Sequence, residues 1–280
     1  MKKWPIFVAI GMMVLGVVLF VIVGIMVGFD FMKLDTANYV TNTYEITDAF
    51  HDIAVECITV DVTIRPSVDG KCRVVCYEQE KVSHRVGVNN GTLEIDSVDA
   101  RNWVDRLGIF NFQSSKVTIY LPEGEFRSLK VDNTTGDLLV HGAWQFNAVQ
   151  LDTTTGDIQV RELDCTEDLS IHVTTGDVTL TDVNCGNLKI DGSTGDVTMN
   201  RVVASDTIRM KMTTGDMTLN QCDAGGLYLM ATTGDVRANL LTEKSISANT
   251  ATGKVNVPPQ QQGGICEINT TTGDIWVKIG

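Results

Sequence analysis

Residues 153–160 read TTTGDIQV and residues 173–180 read VTTGDVTL, so one short pattern returns after twenty positions. The Thr-Gly string of this pattern recurs at glycines that are separated by 19 or 20 residues, namely Gly136, Gly156, Gly176, Gly195, Gly215, Gly234, Gly253 and Gly273. A fixed period of this length is typical of solenoid proteins and outweighs local propensity in predicting the fold. The glycines themselves are predicted to form tight turns, because a turn often needs a positive φ.

Apolar residues alternate with polar ones on both sides of each glycine. Around Gly176, for example, Leu169 and Ile171 come before the turn, and Val178 and Leu180 come after it. Alternation with a period of two predicts strands, so each repeat holds two short strands hinged at the Thr-Gly-Asp turn. A pair of strands cannot bury an apolar face alone, but stacked repeats can. We therefore predict an all-β, single-domain β-solenoid with coils of about 20 residues.

The repeat continues upstream in a degenerate form. Residues 53–64 fit the pattern with Val60 in the glycine position, and residues 86–95 fit it again around Gly91. We interpret residues 50–128 as irregular coils that cap the solenoid and protect its open edge.

The remaining boundaries follow from this assignment. Residues 129–280 are predicted to form the regular repeats, with a loop at residues 258–264 before the last coil. Residues 30–49 are interpreted as a stalk, and residues 1–29 as a cytoplasmic tip followed by a transmembrane anchor helix.

The anchor is predicted from residues 4–29, which contain no charged side chain before Asp30. Such a run is long enough to span a bilayer, and no small-x-small cleavage site ends it, which favours an anchor over a cleaved signal peptide. Because Lys2 and Lys3 precede the span, we expect a single-pass protein of the cell membrane, with its N-terminus cytoplasmic and its C-terminal domain extracellular. Gly24 and Gly28 form a GxxxG pair, which either mediates helix contact or arises by chance.

Charge and motif content narrow the function. The 22 basic and 35 acidic side chains leave a net charge of −13, which argues against nucleic-acid binding. The chain contains no GxSxG or HExxH motif, and its histidines are far apart in the repeat, at His51, His84, His141 and His172. We therefore predict neither a catalytic site nor a cofactor.

The repeated aspartates allow two interpretations. In a solenoid they form a column, made of Asp137, Asp157, Asp177, Asp196, Asp216, Asp235 and Asp274. Stacked carboxylates suit Ca²⁺, which makes the first six candidate cation ligands. Alternatively, each aspartate caps its own turn through backbone hydrogen bonds and points into water. The second interpretation is favoured, because the chain lacks a glycine-rich nonapeptide repeat and Lys254 interrupts the column, so no metal site is predicted.

The seven cysteines include no CxxC pair. Cys165 and Cys185 have the same offset in neighbouring repeats and could form a disulfide in an oxidising compartment. Cys57 and Cys266 fall in apolar columns, where a cysteine usually acts as a small buried hydrophobic residue.

With the repeat, the Tyr120-Leu121-Pro122 strand end and the anchor considered together, the chain resembles a bacterial family of adhesin-like β-strand-repeat proteins, a domain family of unknown function. The resemblance covers about residues 50–280. It implies a cell-envelope protein, often membrane-anchored, and some relatives are encoded near envelope stress-response systems. It brings no catalytic residues.

Two functions follow as hypotheses. The first is a non-enzymatic, extracellular structural or binding module that contacts wall polymer, an envelope protein or another cell. The second is a regulatory membrane protein that senses envelope stress and modulates signalling partners through its anchor, using the Gly24 and Gly28 face.

Overall fold

Equivalent positions of successive repeats lie side by side in a parallel strand ladder. In the computed structural model of the chain, Thr155 lies opposite Thr135, and Thr175 lies opposite Thr155. The structure describes residues 4–26, 28–29, 38–100, 114–259 and 262–280. The chain is mostly β, with a β-solenoid-like repeat and one N-terminal apolar helix, as the periodicity predicted.

The described elements are one helix and the 17 strands of one sheet. In chain order they are α1 (Trp4–Met26), β1 (Tyr39–Ile46), β2 (Asp52–Pro66), β3 (Cys72–Gln79), β4 (Val82–Asn89), β5 (Thr92–Asp99), β6 (Ser115–Leu121), β7 (Glu125–Thr135), β8 (Leu138–Thr155), β9 (Ile158–Thr175), β10 (Val178–Thr194), β11 (Val197–Thr214), β12 (Met217–Thr233), β13 (Val236–Leu240), β14 (Lys244–Thr252), β15 (Val255–Asn256), β16 (Gly264–Thr272) and β17 (Ile275–Ile279).

The core consists of the inward-facing alternate residues of these strands. Leu169, Ile171, Val178 and Leu180 are all buried, and the same offsets are buried in the neighbouring coils. Each such side chain contributes about 1.5–3 kcal/mol when it leaves water. Stacking therefore stabilises the fold chiefly by joining these residues into one continuous apolar column.

Each regular repeat forms one long bent strand where the sequence predicted two short strands. Strand β9 runs without a break through 18 residues, from one Thr-Gly-Asp turn to the next. At its bend Glu162 has a φ of 57°, and Asp182, Arg201 and Gln221 have φ values of 53–55° in the following coils. A single residue in the left-handed region turns the strand through a corner while the ladder continues in register, with Arg161 opposite Thr181 and Leu163 opposite Val183. The expectation of two separate strands per repeat was therefore wrong for the regular coils, because an irregularity without glycine leaves no clear signal in the sequence.

The last two coils are stacked in the reverse of their chain order. Strand β12 pairs with β16 through Leu227 and Cys266, and β14 pairs with the other side of β16 through Ile246 and Cys266. Here the order of the coils in the stack therefore differs from their order in the chain. The coil that contains Gly253 is the outermost described coil, and the coil that contains Gly273 lies inside it.

The chain also leaves sequential order at the N-terminal end. Strand β2 pairs with β7 on one side and with β5 on the other, although β5 follows it in the chain. The degenerate repeat around Val60 is confirmed, since Thr59 lies opposite Thr135. The match around Gly91 is wrong, because Asn90 and Gly91 join β4 and β5 as an antiparallel hairpin, with φ values of 49° and 79°.

Part of the interpreted stalk belongs to the β domain. Strand β1 covers residues 39–46 and pairs with β3. Residues 30–37 lie outside the described residues. The antiparallel strands β3 and β4 pair with β6 and β5 and cover the edge that the parallel coils would otherwise leave open, a common protection of sheet edges.

The N-terminal helix and the β domain are separate compact units. Residues Phe7–Met26 have a mean hydropathy of 3.0, so by length and composition the helix is able to cross a membrane. The helix ends at Met26, and Gly28 follows it with a φ of 67°. The Phe29 ring packs on Gly24, where an added Cβ would lie 2.8 Å from it. The described helix therefore does not present the two glycines as one face, because Gly28 lies beyond its end and Phe29 covers Gly24.

Candidate functional site

The Thr-Gly-Asp turns stack so closely that a Cβ added at any of their glycines would clash with the neighbouring coil. At Gly195 φ is 136°, a conformation that side chains with a Cβ rarely adopt. An added Cβ at Gly195 would also lie 2.0 Å from the carbonyl oxygen of Gly176 in the coil before it. All eight predicted turn glycines have φ between 129° and 149°. The repeated glycine is thus required both by its own backbone conformation and by contact with the neighbouring coil.

The aspartates next to these glycines form a hydrogen-bonded chain, which we call the aspartate ladder. The Oδ1 atom of each accepts a hydrogen bond from the backbone N–H at the same position of the next coil, over 2.7–3.2 Å. In stacking order the ladder is Asp61, Asp137, Asp157, Asp177, Asp196, Asp216, Asp235 and Asp274. The last donor is the N–H of Lys254. Each carboxylate therefore joins two coils.

This geometry differs from the capping expected from the sequence. The aspartates were expected to cap their own turns, but they cap the turn of the next coil, because stacking brings that N–H within reach of the carboxylate. It also explains Lys254. The Gly253 coil is the outermost described coil at this end. The N–H of Lys254 therefore donates a hydrogen bond to Asp274, but no further coil offers an N–H to the side chain at position 254. A carboxylate at position 254 would therefore have no N–H of a neighbouring coil from which to accept a hydrogen bond.

The ladder carboxylates are arranged for hydrogen bonds more than for ion coordination. Arg237 lies beside two of them, with Nη2 2.7 Å from Asp235 Oδ2 and Nη1 3.4 Å from Asp216 Oδ2. Within the described residues, no three ladder aspartates bring their ligand atoms within 4.8 Å of one another. Calcium binding by Asp137, Asp157, Asp177, Asp196, Asp216 and Asp235 remains the less favoured of the two predictions and is open to titration.

The two cysteines that share a repeat offset are neighbours in the structure. Cys165 lies opposite Cys185 in the β9–β10 ladder, and both side chains are buried. All seven cysteines fall within the described ranges, and each is a buried free thiol here. Burial raises the pKa of Cys165 to about 11 and that of Cys185 to about 12. These thiols are therefore protonated and unreactive near neutral pH.

The histidines are not brought together, as the repeat register predicted. His141 lies 3.5 Å from Glu162, and His51 lies 3.9 Å from Asp52. His84 is different, because its buried side chain contacts Glu78 and lies near Cys76. Sequence reasoning missed this cluster, although Cys76 and Glu78 stand at alternate positions just before a two-residue turn and His84 comes just after it.

A second feature that sequence reasoning missed lies on the outer face of the sheet. The parallel register places Lys189, Arg209 and Tyr228 side by side on β10, β11 and β12. Lys211 lies opposite Met230 two positions further along the same strands. We call these five residues the basic–aromatic patch. The aligned repeats do contain a signal for this patch. Lys189 and Arg209 stand six residues before their turn glycines, and Lys211 stands four residues before Gly215.

The patch combines charge with exposed apolar surface. The Arg209 guanidinium carbon lies 4.0 Å from the centre of the Tyr228 ring, a cation–π arrangement. Lys189 contacts Asp191 at 2.7 Å, and Met230 remains 51% exposed. The patch residues, with Asp191, Glu267 and Asn269, line an open groove of about 340 Å³. The arrangement can pair with anionic groups and stack against a flat ring.

Comparisons with known proteins agree with the fold. The model of a family described as Toastrack DUF4097 matches residues 50–279. A search of curated proteins finds no significant match.

Several solved structures are similar to this chain. One is a candidate lipid-binding protein from Parabacteroides distasonis, which is 13% identical with a TM-score of 0.50, covering 86% of this chain and 98% of that one. Another is a candidate adhesin from Bacteroides fragilis, 18% identical with a TM-score of 0.46, covering 86% and 97%. A candidate adhesin from Parabacteroides distasonis is 13% identical with a TM-score of 0.44, covering 86% and 97%. At 13% identity the likeness to the first of these structures shows the fold alone.

Proposed function

The chain belongs to the Toastrack DUF4097 family, and from that premise we propose that it is a non-catalytic binding module of the bacterial cell envelope. Its β domain lies outside the membrane and contacts an anionic wall polymer through the basic–aromatic patch. The continuous stack of coils acts as a rigid support for that surface. A family match over most of the chain and a repeat fold without a catalytic motif support a binding or structural role.

The observation that carries the proposal is the stacking of Arg209 on Tyr228 between two further cations. The groove brings three cations together with only two carboxylates, Asp191 and Glu267, whereas the whole chain has a net charge of −13. An arginine and lysines pair well with phosphate or carboxylate groups, and a tyrosine ring offers a flat surface for a sugar. Both contacts together fit an anionic polysaccharide better than a neutral polymer or a cationic surface.

The attachment to the membrane is part of the proposal. The apolar helix suits a span by length and composition, although a signal sequence passes the same test. Lys2 and Lys3 favour a cytoplasmic N-terminus by the positive-inside rule, which directs the β domain outward. Residues 4–29 then hold the binding module close to the polymer layer outside the membrane.

The regulatory alternative has less support. It relied on a helix face formed by Gly24 and Gly28, but Gly28 lies beyond the end of the helix and Phe29 packs on Gly24. We therefore favour the binding module.

Co-sedimentation of the full-length protein, solubilised in detergent, with purified cell walls tests the proposal. The double variant Arg209→Ala/Tyr228→Ala is expected to bind about thirtyfold more weakly, since it removes two contacts of about 1 kcal/mol each. Lys130→Ala is the matched control, because Lys130 is an exposed cation in the same outward column but outside the patch. Equal binding by both variants, or no binding by the unmodified protein, would overturn the assignment.

A further inference from the structure

The N-terminal cap contains a polar cluster that the binding surface does not use. Cys76 and Glu78 are inward-facing residues of β3, and His84 is an inward-facing residue of β4. The side chains of Glu78 and His84 are both 0% exposed, and Cys76 is equally buried. One ligand atom from each of the three residues lies within 4.8 Å of the other two. We call Cys76, Glu78 and His84 the cap cluster.

The hydrogen bonds in the cap cluster orient the carboxylate and the imidazole. Glu78 Oε2 accepts hydrogen bonds from the backbone N–H and from the ring Nδ1 of His84, both at 2.6 Å. Glu78 Oε1 accepts a hydrogen bond from Asn42 Nδ2, also at 2.6 Å. Since a carboxylate can only accept, this contact places a proton on Nδ1, so that in the neutral form of the ring the lone pair is on Nε2.

The other ring nitrogen has no partner. His84 Nε2 is buried and makes no hydrogen bond, which is costly for a polar atom out of water. Tyr44 approaches from β1, but its hydroxyl donates to the backbone oxygen of His84 at 3.2 Å and not to the ring. A fully buried nitrogen of this kind, in a cluster with a thiol and a carboxylate, resembles a ligand position.

The donor set is specific enough to name the ion. Thiolate and imidazole ligands together favour Zn²⁺ over Ca²⁺ or Mg²⁺, which prefer oxygen alone. Around tetrahedral Zn²⁺, ligand atoms lie about 3.3–3.6 Å apart, so coordination through Nε2 requires the Glu78 carboxylate to exchange its hydrogen bond with Nδ1 for the metal. Zn²⁺ bound to one thiolate, one carboxylate and one neutral imidazole has no net charge, which suits a buried site.

We propose that Cys76, Glu78 and His84 form a zinc-binding site that joins β3 to β4 in the N-terminal cap. Zn²⁺ displaces the thiol proton of Cys76, which leaves to solvent, and no other covalent bond changes. The strands need such a link, because Gln79 and Val82 form the single β3–β4 pair in the described ladder. The metal then stabilises the antiparallel strands that protect the edge of the solenoid. This proposal is independent of polymer binding.

Metal titration of the full-length protein, purified in detergent and stripped with chelator, tests the site. We expect one Zn²⁺ per chain with a rise in melting temperature, and binding at least tenfold weaker in Cys76→Ser and in His84→Gln. Cys222→Ser and His141→Gln are matched controls, because Cys222 is equally buried elsewhere and His141 is half exposed. Both controls should bind zinc normally. Loss of binding in the controls, or normal binding in Cys76→Ser or His84→Gln, would overturn the site.

A spectroscopic measurement on the unmodified protein does not depend on whether the variants fold. Co²⁺ bound to a thiolate gives a sulfur-to-metal charge-transfer band in the near ultraviolet and, in tetrahedral geometry, intense visible bands. We expect both to appear with one Co²⁺ and to disappear when Zn²⁺ is added. Absence of the charge-transfer band refutes coordination by Cys76.

Discussion

The Oδ1 atom of Asp177 accepts a hydrogen bond from the backbone N–H of Asp196, which belongs to the next coil of the stack, at 2.8 Å. Asp157 binds the N–H of Asp177 in the same way. Each aspartate is therefore acceptor and donor in one chain of contacts that runs along the solenoid. The carboxylates face water, where repulsion between unit charges about 4 Å apart is only about 1 kcal/mol. A hydrogen bond to each charged acceptor is enough to offset it.

Replacing a ladder aspartate should destabilise the coil that follows it. Asp177→Ala leaves the N–H of Asp196 without its acceptor, and we expect a loss of about 1 kcal/mol, as for a helix cap. Asp177→Asn keeps an oxygen acceptor and should lose less. Urea unfolding of both variants measures the difference. Asp206→Asn, an exposed aspartate outside the ladder, is the control. Equal losses in Asp177→Ala and Asp206→Asn would contradict the ladder's role.

Calcium should have little effect on the folded protein. The Oδ1 atoms of the ladder already accept backbone hydrogen bonds, and Arg237 lies beside two of the carboxylates. We therefore expect the same melting temperature in millimolar calcium and in chelator. A large rise with calcium would instead favour cation binding by the aspartate column. Asp177→Asn and Asp196→Asn would then be expected to reduce that rise.

Adding one methyl group at a turn glycine should disrupt the stack. In Gly195→Ala the new Cβ meets a carbonyl oxygen at 2.0 Å and the backbone has a φ of 136°. Strain and overpacking together predict a loss of about 3 kcal/mol or more in the free energy of unfolding. Gly87→Ala is the matched control, because nothing lies within 4 Å of its added Cβ. Denaturant titration compares the two, and a small loss in Gly195→Ala would be inconsistent with the stacked turns.

The Asp52–Arg127 pair should make stability depend on acid pH. A hydrogen bond from Arg127 is the main reason that the pKa of Asp52 lies below its ordinary value. Burial opposes this shift, and a hydrogen bond from Ser128 adds to it. Its stabilising effect is present above the unfolded pKa and disappears as the pH falls through the lower folded pKa. We expect Asp52→Asn to lose about 1 kcal/mol at neutral pH, a modest value because the Arg127 side chain is 64% exposed.

The check is the free energy of unfolding of both proteins at neutral and acid pH. The difference should narrow as the solution becomes more acidic. A constant difference across that range would mean that the mutation acts through packing and not through the charge of Asp52.

The corner residues offer a stabilising substitution. Gln221 is exposed and has a φ of 53°, which is unfavourable for a residue with a Cβ. Gln221→Gly should raise the free energy of unfolding by about 0.5–1 kcal/mol. Thr218→Gly, in the straight part of the same strand, should lower it by a similar amount. Thermal unfolding distinguishes these outcomes, and a loss in both variants would argue against a left-handed corner.

The aspartate ladder, the basic–aromatic patch and the cap cluster could be predicted from the sequence only in part. The repeated Gly and Asp positions could be read directly, because their spacing is fixed. The target of each carboxylate could not, because the N–H that it binds is 19 to 76 residues away in the chain and adjacent only after stacking. The basic–aromatic patch likewise depends on register, which places Lys189, Arg209 and Tyr228 side by side. The cap cluster depends on one turn that returns His84 to Glu78.

The sequence by itself determined the repeat, the inward apolar columns and the glycine turns, because these properties recur at fixed local offsets and need no knowledge of distant contacts. The tertiary structure alone decided the stacking order at the two ends. At the N-terminal end β2 lies between β7 and β5, and at the other end β16 lies between β12 and β14. The chain order of these strands does not reveal this arrangement. Strand pairing by backbone hydrogen bonds is nearly independent of side-chain identity, so similar coils can exchange places without leaving a signal in the sequence. Their packing on the neighbouring coils selects the order.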